Sequence, residues 1–183
     1  MTRELDKDAI LGLLTELGAR LAAKGIQARF YVVGGAAMLL AYGRTQITRD
    51  IDAVFEPKAA VYDEARTMAK EKTWLGEDWL NDGVKGFILG PDPGTPQVIH
   101  SSDGISIQVA SPHRLLAMKV AAARIERDGD DIVALARLVG ARSIQDVLDL
   151  ADAEYGDLLR PRSRFLVEEL LAGILPGHPD SPG

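Results

Sequence analysis

The most constraining stretch of the chain is a β-branched and aromatic run, Ala28 to Val33 (ARFYVV), stopped by Gly34 and Gly35 and followed by the Ala/Leu-rich AAMLLAY. The run reads as a strand, and the Ala/Leu segment as a helix that stops at Gly43. Paired glycines at that turn carry no side chains, so backbone N–H groups and the helix N-terminus can approach an anion closely. Residues 50 to 55 (DIDAVF) then read as a second short strand. Carboxylates two apart on a strand share a face, so Asp50 and Asp52 can jointly hold one divalent cation while Ile51 turns into the core. Oxygen donors of this kind suit Mg²⁺, or Mn²⁺ in its place. The expected role of such a cation is to neutralise phosphate oxygens of a nucleoside triphosphate (NTP) as pyrophosphate leaves. D-x-D alone often lies on surface loops, and Gly-Gly alone often marks a turn. Their separation by a single helix is what makes the pair informative. On the intervening loop Arg44, Thr45 and Thr48 can serve the carboxylates or a phosphate, or can simply cap the turn or face solvent.

Composition narrows the remaining classes. The 183 residues suffice for one domain, or one domain with a helical appendage, and 46% hydrophobic residues with 26% charged residues is ordinary globular composition. With no cysteine and three scattered histidines (His100, His113, His178), disulfides, thiol nucleophiles and structural zinc are all excluded or unfavoured. No apolar run reaches the roughly 18 to 20 residues a membrane span needs. The opening Met1-Thr2-Arg3-Glu4-Leu5-Asp6 carries acids where a secretory signal keeps a basic start, so the expectation is a cytoplasmic protein with no membrane partner. A net charge of -6 argues against a general nucleic-acid coat but leaves room for a local basic rim. The motifs of P-loop, Rossmann and nucleophile-elbow enzymes do not occur.

Along the rest of the chain, Leu5, Ile10, Leu13, Leu14, Leu17 and Leu21 recur at the helical period, with Gly25 as a C-cap. A helix from Ala59 to Lys72 follows Pro57, and strands are expected at Phe87 to Leu89, Gln97 to His100 and Ile105 to Val109, with Asn81-Asp82-Gly83 a turn. Ser111-Pro112 opens a helix expected to run to Arg127, and a second is expected after Asp128-Gly129. Ser143 caps a third, and Pro161 precedes a fourth over Ser163 to Ile174. The expected organisation is an α/β part over residues 1–110, a helical half over 111–175 that completes the active-site groove, and a flexible tail over 176–183. Trp74 and Trp79 read as core or interface residues. Arg160, Arg162 and Arg164 form a dense basic cluster that suits a solvated helix start better than an RNA contact.

The stretch VVGGAAMLLAYGRTQITRDIDAVF resembles the signature of minimal DNA polymerase-β-type nucleotidyltransferases, in which Gly-Gly or Gly-Ser precedes D-x-D or D-x-E by one helix. Farther on, SPHRLLAMKVAAARIERDGDDIVAL resembles the second half of AbiEii/MenT-type toxin nucleotidyltransferases. The likeness covers residues 28–56 and 105–140. Arg127 stands where the family usually has lysine, and the step from Lys119 to Asp128 is shorter than in the longer toxins. The resemblance implies an α/β (α+β) nucleotidyltransferase fold, a small mixed sheet flanked by helices and followed by a helical C-terminal half. It implies metal binding by Asp50 and Asp52, triphosphate contact by Lys119, and a further acidic residue at Asp131 or Asp128. Gly34, Gly35, Arg44, Thr48 and Arg124 complete the expected nucleotide side of the site.

On the residues alone, Lys119 places an ammonium on an apolar helix (LLAMKVAAA), which asks for an anionic partner unless it snorkels to solvent. Arg124 with Asp128, and Arg127 with Asp131, are each spaced for a plain helix salt bridge. The apolar face from Ile132 to Val139 favours a functional Asp131. The resemblance further implies a toxin of a toxin–antitoxin or phage-defence pair that transfers a nucleoside monophosphate from an NTP such as ATP to RNA, at tRNA 3′ ends, with a cognate antitoxin as partner. Two alternatives remain at this level: an antitoxin that adenylylates a protein, and a non-catalytic binding module.

Overall fold

The computed structural model describes residues 4–44 and 46–177; the expectations for Thr45 and His178, and those for residues 178–183 of the tail, lie outside them. The chain divides into two compact units, one of residues 1–88 and 96–110, the other of residues 89–95 and 111–183.

The first unit is a mixed α/β layer. Helix α1 (Lys7–Ala23) starts at Asp6, whose carboxylate accepts the Ala9 N–H at 2.8 Å, and buries the expected stripe of Ile10, Leu13, Leu14, Leu17 and Leu21. Strand β1 (Ala28–Val32), helix α2 (Gly34–Ala41), strand β2 (Ile51–Glu56) and helix α3 (Lys58–Glu71) follow, then the two-residue β3 (Leu80–Asn81), β4 (Gln97–Ser101) and β5 (Ile105–Val109). The five strands lie in the order β3-β2-β1-β5-β4. Strand β1 runs antiparallel to β2 and parallel to β5, β2 is parallel to β3, and β4 is antiparallel to β5.

Alternation of side chains gives the sheet two unlike faces. Ala28, Phe30, Val32, Ile51, Ala53, Phe55, Ile105, Ile107 and Val109 are buried on one of them. Arg29, Glu56 and Gln108 are exposed on the other, where Tyr31, Asp52 and Val54 are half-buried. Helix α1 crosses the start of β5 so closely that a Cβ on Gly104 would stand 1.8 Å from the Gly18 carbonyl oxygen, so only glycine fits there.

The second unit packs α4 (Pro112–Ala122) with α5 (Ile125–Leu138), α6 (Ile144–Tyr155) and α7 (Pro161–Leu171). Ser111 caps α4 by accepting the Arg114 N–H, and Ser143 caps α6 by accepting the Asp146 N–H. Arg114 is wholly buried: its guanidinium pairs with Glu154 and donates to the carbonyls of Gly90 at 2.8 Å and Pro91 at 2.6 Å. Asp92 accepts the Ser111 N–H at 2.9 Å and bonds the Ser111 hydroxyl. These bonds make residues 89–95 part of the helical unit.

Several expectations are corrected. Phe87 to Leu89 is no strand: residues 83–87 form a 3-10 turn closed by Lys85 N–H to Asp82 and Ile88 N–H to Lys85, and Phe87 stays 63% exposed, outside the ladder. The helix break expected at Asp128-Gly129 falls five residues earlier, because Ala123 adopts a left-handed φ of 47° and Arg124 becomes the N-cap of α5. Gly129 sits inside α5, where a Cβ would lie 3.4 Å from Leu170 Cδ1. Gly34 and Gly35 are the first residues of α2 itself, with Val33 as N-cap, and α7 begins at Pro161.

Candidate active site

The α2–β2 region is built around the two glycines. Gly34 has φ +66°, and a Cβ there would be 3.0 Å from Asp52 Oδ2. A Cβ on Gly35 would meet Thr48 Oγ1 at 3.1 Å and Arg44 Nη1 at 3.4 Å. The glycines therefore let the start of α2 press directly against the Asp52 carboxylate and the Arg44–Thr48 loop. Val33 supplies no side-chain cap to α2, so first-turn N–H groups keep donor capacity for an anion.

The loop is pinned from outside the sheet. Leu5 N–H donates to the Thr48 carbonyl at 2.6 Å, and Thr48 N–H returns a bond to Leu5 at 3.0 Å. The buried Thr48 then donates its hydroxyl to the Asp50 carbonyl at 3.2 Å. Strand β2 starts at Ile51, one residue later than expected, so Asp50 stands at its mouth rather than in the pleat. Asp52 is inside the strand, and its carbonyl accepts the Val33 N–H at 2.9 Å.

Asn81, expected in a turn, lies beside the candidate site instead. It is paired with Asp52 across the parallel β2–β3 ladder, and its Nδ2 donates to Asp50 Oδ2 at 3.2 Å. The one local signal for β3 is the apolar pair Trp79-Leu80, the residue before the strand and its first residue. Trp79 is fully buried, donates Nε1–H to the Ala65 carbonyl at 3.1 Å, and accepts the Ile51 N–H at 2.7 Å, which makes it the core residue expected.

The structure thus brings Gly34, Gly35, Arg44, Thr48, Asp50 and Asp52 together in the first unit. In the second unit Lys119, Asp128 and Asp131 form a separate cluster. Lys119 Nζ lies 2.7 Å from Asp128 Oδ1 and 2.8 Å from Asp131 Oδ2, with all three side chains less than 10% exposed. Lys119 therefore does not snorkel, and the two carboxylates turn to it, while Arg124 and Arg127 are exposed. Arg160 and Arg162 are exposed as well, and Arg164 is ion-paired with Asp152. His100 lies on β4 and His113 on α4, on different elements.

Among the described residues no group of three or more His, Cys, Asp or Glu side chains assembles. The donor set nevertheless fits a hard divalent cation that takes only one or two carboxylates from the protein and its other oxygens from water and phosphates. The glycine matters as well, since a Cβ at Gly34 would stand 3.0 Å from Asp52 Oδ2 and crowd the carboxylate such a cation would use.

Residues 11–88, less than half of the chain, match the model of a family described as "Nucleotidyl transferase of unknown function (DUF2204)". The match runs from within α1 to just past β3 and so includes the two glycines, Asp50, Asp52 and Asn81. It supports a nucleotidyltransferase family for this chain, and the five-stranded mixed sheet with a helical C-terminal half agrees with that type of fold. No curated protein and no solved structure matches the chain significantly. No helix of the described residues is long and apolar enough to cross a membrane.

Proposed function

We propose that the protein transfers a nucleoside monophosphate from an NTP to an acceptor hydroxyl, with Asp50 and Asp52 holding Mg²⁺ or Mn²⁺. The observation that carries this reading is the approach of Gly34 to the Asp52 carboxylate at the N-terminus of α2. Anion-binding N–H groups and a cation-binding carboxylate are there side by side, which is what a metal-bound triphosphate requires. When bound, the cation supplies charge neutralisation at the reacting phosphate and favours ionisation of the acceptor hydroxyl. Gly34 and Gly35 admit the phosphates to the backbone N–H groups. Arg44, held against Gly35, offers a guanidinium to the same anion, and Thr48 fixes the backbone of Asp50.

Lys119 is the proposed second phosphate contact, with Asp131 as the further acidic residue, Asp128 as its companion and Arg124 at the nucleotide side. Their support is the resemblance of the segment around Lys119 together with the convergence of one ammonium and two carboxylates. The proposed acceptor is RNA, at tRNA 3′ ends, and the proposed setting is the toxin arm of a toxin–antitoxin or phage-defence pair inside the cell, answered by a cognate antitoxin. Incubation with each α-labelled NTP, Mg²⁺, total RNA and total protein tests this reading. Label on small RNAs and growth arrest on induction are the expected results. Label on protein alone would replace the toxin reading with that of a protein-modifying antitoxin, and no label in any combination would contradict transfer itself.

A further inference from the structure

Asp50 lies outside the strand, so the sheet's pleat does not set the direction of its carboxylate. Its backbone is held by Thr48, and its Oδ2 accepts from Asn81 Nδ2 at 3.2 Å. Asn81 divides its amide between two partners. Its Oδ1 accepts the Gly83 N–H at 3.2 Å, which fixes the amide's orientation and leaves the NH₂ end for Asp50. The residue itself is anchored from both sides. Leu80 and Asn81 are laddered to β2, and Asp82 is locked to α3, where the Tyr62 hydroxyl donates to Asp82 Oδ1 at 2.7 Å and Lys58 Nζ lies 2.5 Å from Oδ2. The Lys58 ammonium, and then the Tyr62 hydroxyl, hold the Asp82 carboxyl below the usual carboxylate range, so this anchor is ionised at neutral pH.

We infer that Asn81 is a positioning residue that occupies one oxygen of Asp50 and so orients the carboxylate toward a divalent cation. This rests on the reading of Asp50 and Asp52 as metal ligands. A donor that fixes a ligating carboxylate changes metal affinity by about 10-fold or more when removed. An aspartate here would keep an acceptor for Gly83, lose the donor, and add a negative charge beside a dication.

The test is Mn²⁺ binding to the full-length protein, followed by the paramagnetic resonance signal of free Mn²⁺, alongside nucleotide-transfer rates. Asn81→Ala is expected to bind Mn²⁺ about 10-fold more weakly than the parent. Asn81→Asp, which keeps the turn and carries the test should the alanine variant not fold, is expected to bind Mn²⁺ more tightly yet transfer about 10-fold more slowly. A merely structural role does not produce that split. Asp52→Asn is the control for the underlying reading. If it loses Mn²⁺ while folded Asn81 variants keep the parent's affinity, the positioning role is overturned and the metal site stands. If it too keeps the parent's affinity, the metal site itself is wrong and the inference falls with it.

Discussion

At the residue scale the candidate site of the first unit depends on what is missing from Gly34, and the Lys119 cluster of the second unit on a shared ammonium. Replacing Gly34 with alanine puts a Cβ at 3.0 Å from Asp52 Oδ2 and forces a side chain onto φ +66°. The expected outcome for Gly34→Ala is a stability loss of about 1 to 2 kcal/mol and a larger loss of transfer, because the carboxylate must move. Urea unfolding and single-turnover rates on the same sample separate the two effects. Lys119 is different in kind, since its ammonium is the common partner of two buried carboxylates. Removing it leaves them facing each other, and Lys119→Ala is expected to cost about 3 to 5 kcal/mol on top of any loss in NTP use. Parent-like stability in that variant would show that solvent reaches the cluster.

At the element scale, caps and turns decide where the helices fall. Helix α6 is framed by Ser143, which accepts the Asp146 N–H at 3.1 Å, and by Asp146, which accepts the Arg142 N–H at 2.8 Å. Ser143→Ala is expected to cost about 1 kcal/mol. The Arg142 N–H bond, then the bond from Ser143, holds the Asp146 carboxyl below its ordinary value. A lowered folded value stabilises at and above the ordinary carboxylate range, and the contribution disappears as pH falls through the folded value. Asp146→Asn should therefore be less stable than the parent at about pH 6 and converge with it toward about pH 2 in urea titrations. Caps of this kind were legible in the sequence, as were the leucine stripe of α1 and the strand–glycine–helix–strand order, because each rests on neighbours within a few residues. The α4–α5 break was not, since nothing local marks Ala123 as left-handed and Gly129 looks like a better stop. Strand β3 and Asn81 were hidden for a related reason. Two residues carry no periodicity, and their pairing is set by α3 and β2, distant in sequence.

At the scale of the whole molecule, a net charge of -6 repels RNA, so binding of the proposed RNA acceptor must come from local cations. The cluster at the start of α7 reads first as a solvated helix start, and with Arg164 already paired with Asp152 the exposed Arg160 and Arg162 are its groups to test against an RNA backbone. Substituting all three by glutamine should flatten the log–log salt dependence of RNA binding by about two units rather than three, with NTP affinity unchanged. An unaltered slope would remove the cluster from the acceptor surface. The central claim, that the Asp50–Asp52 pair beside the α2 glycines works as a nucleotide-transfer centre, is tested most directly by one comparison. Parent and Asp52→Asn, matched by circular dichroism and melting temperature, are incubated with α-labelled NTPs, Mg²⁺ and total cellular RNA and protein, and label incorporated into any acceptor is measured. The expected result is incorporation by the parent and none by the folded variant; equal incorporation by both would contradict it.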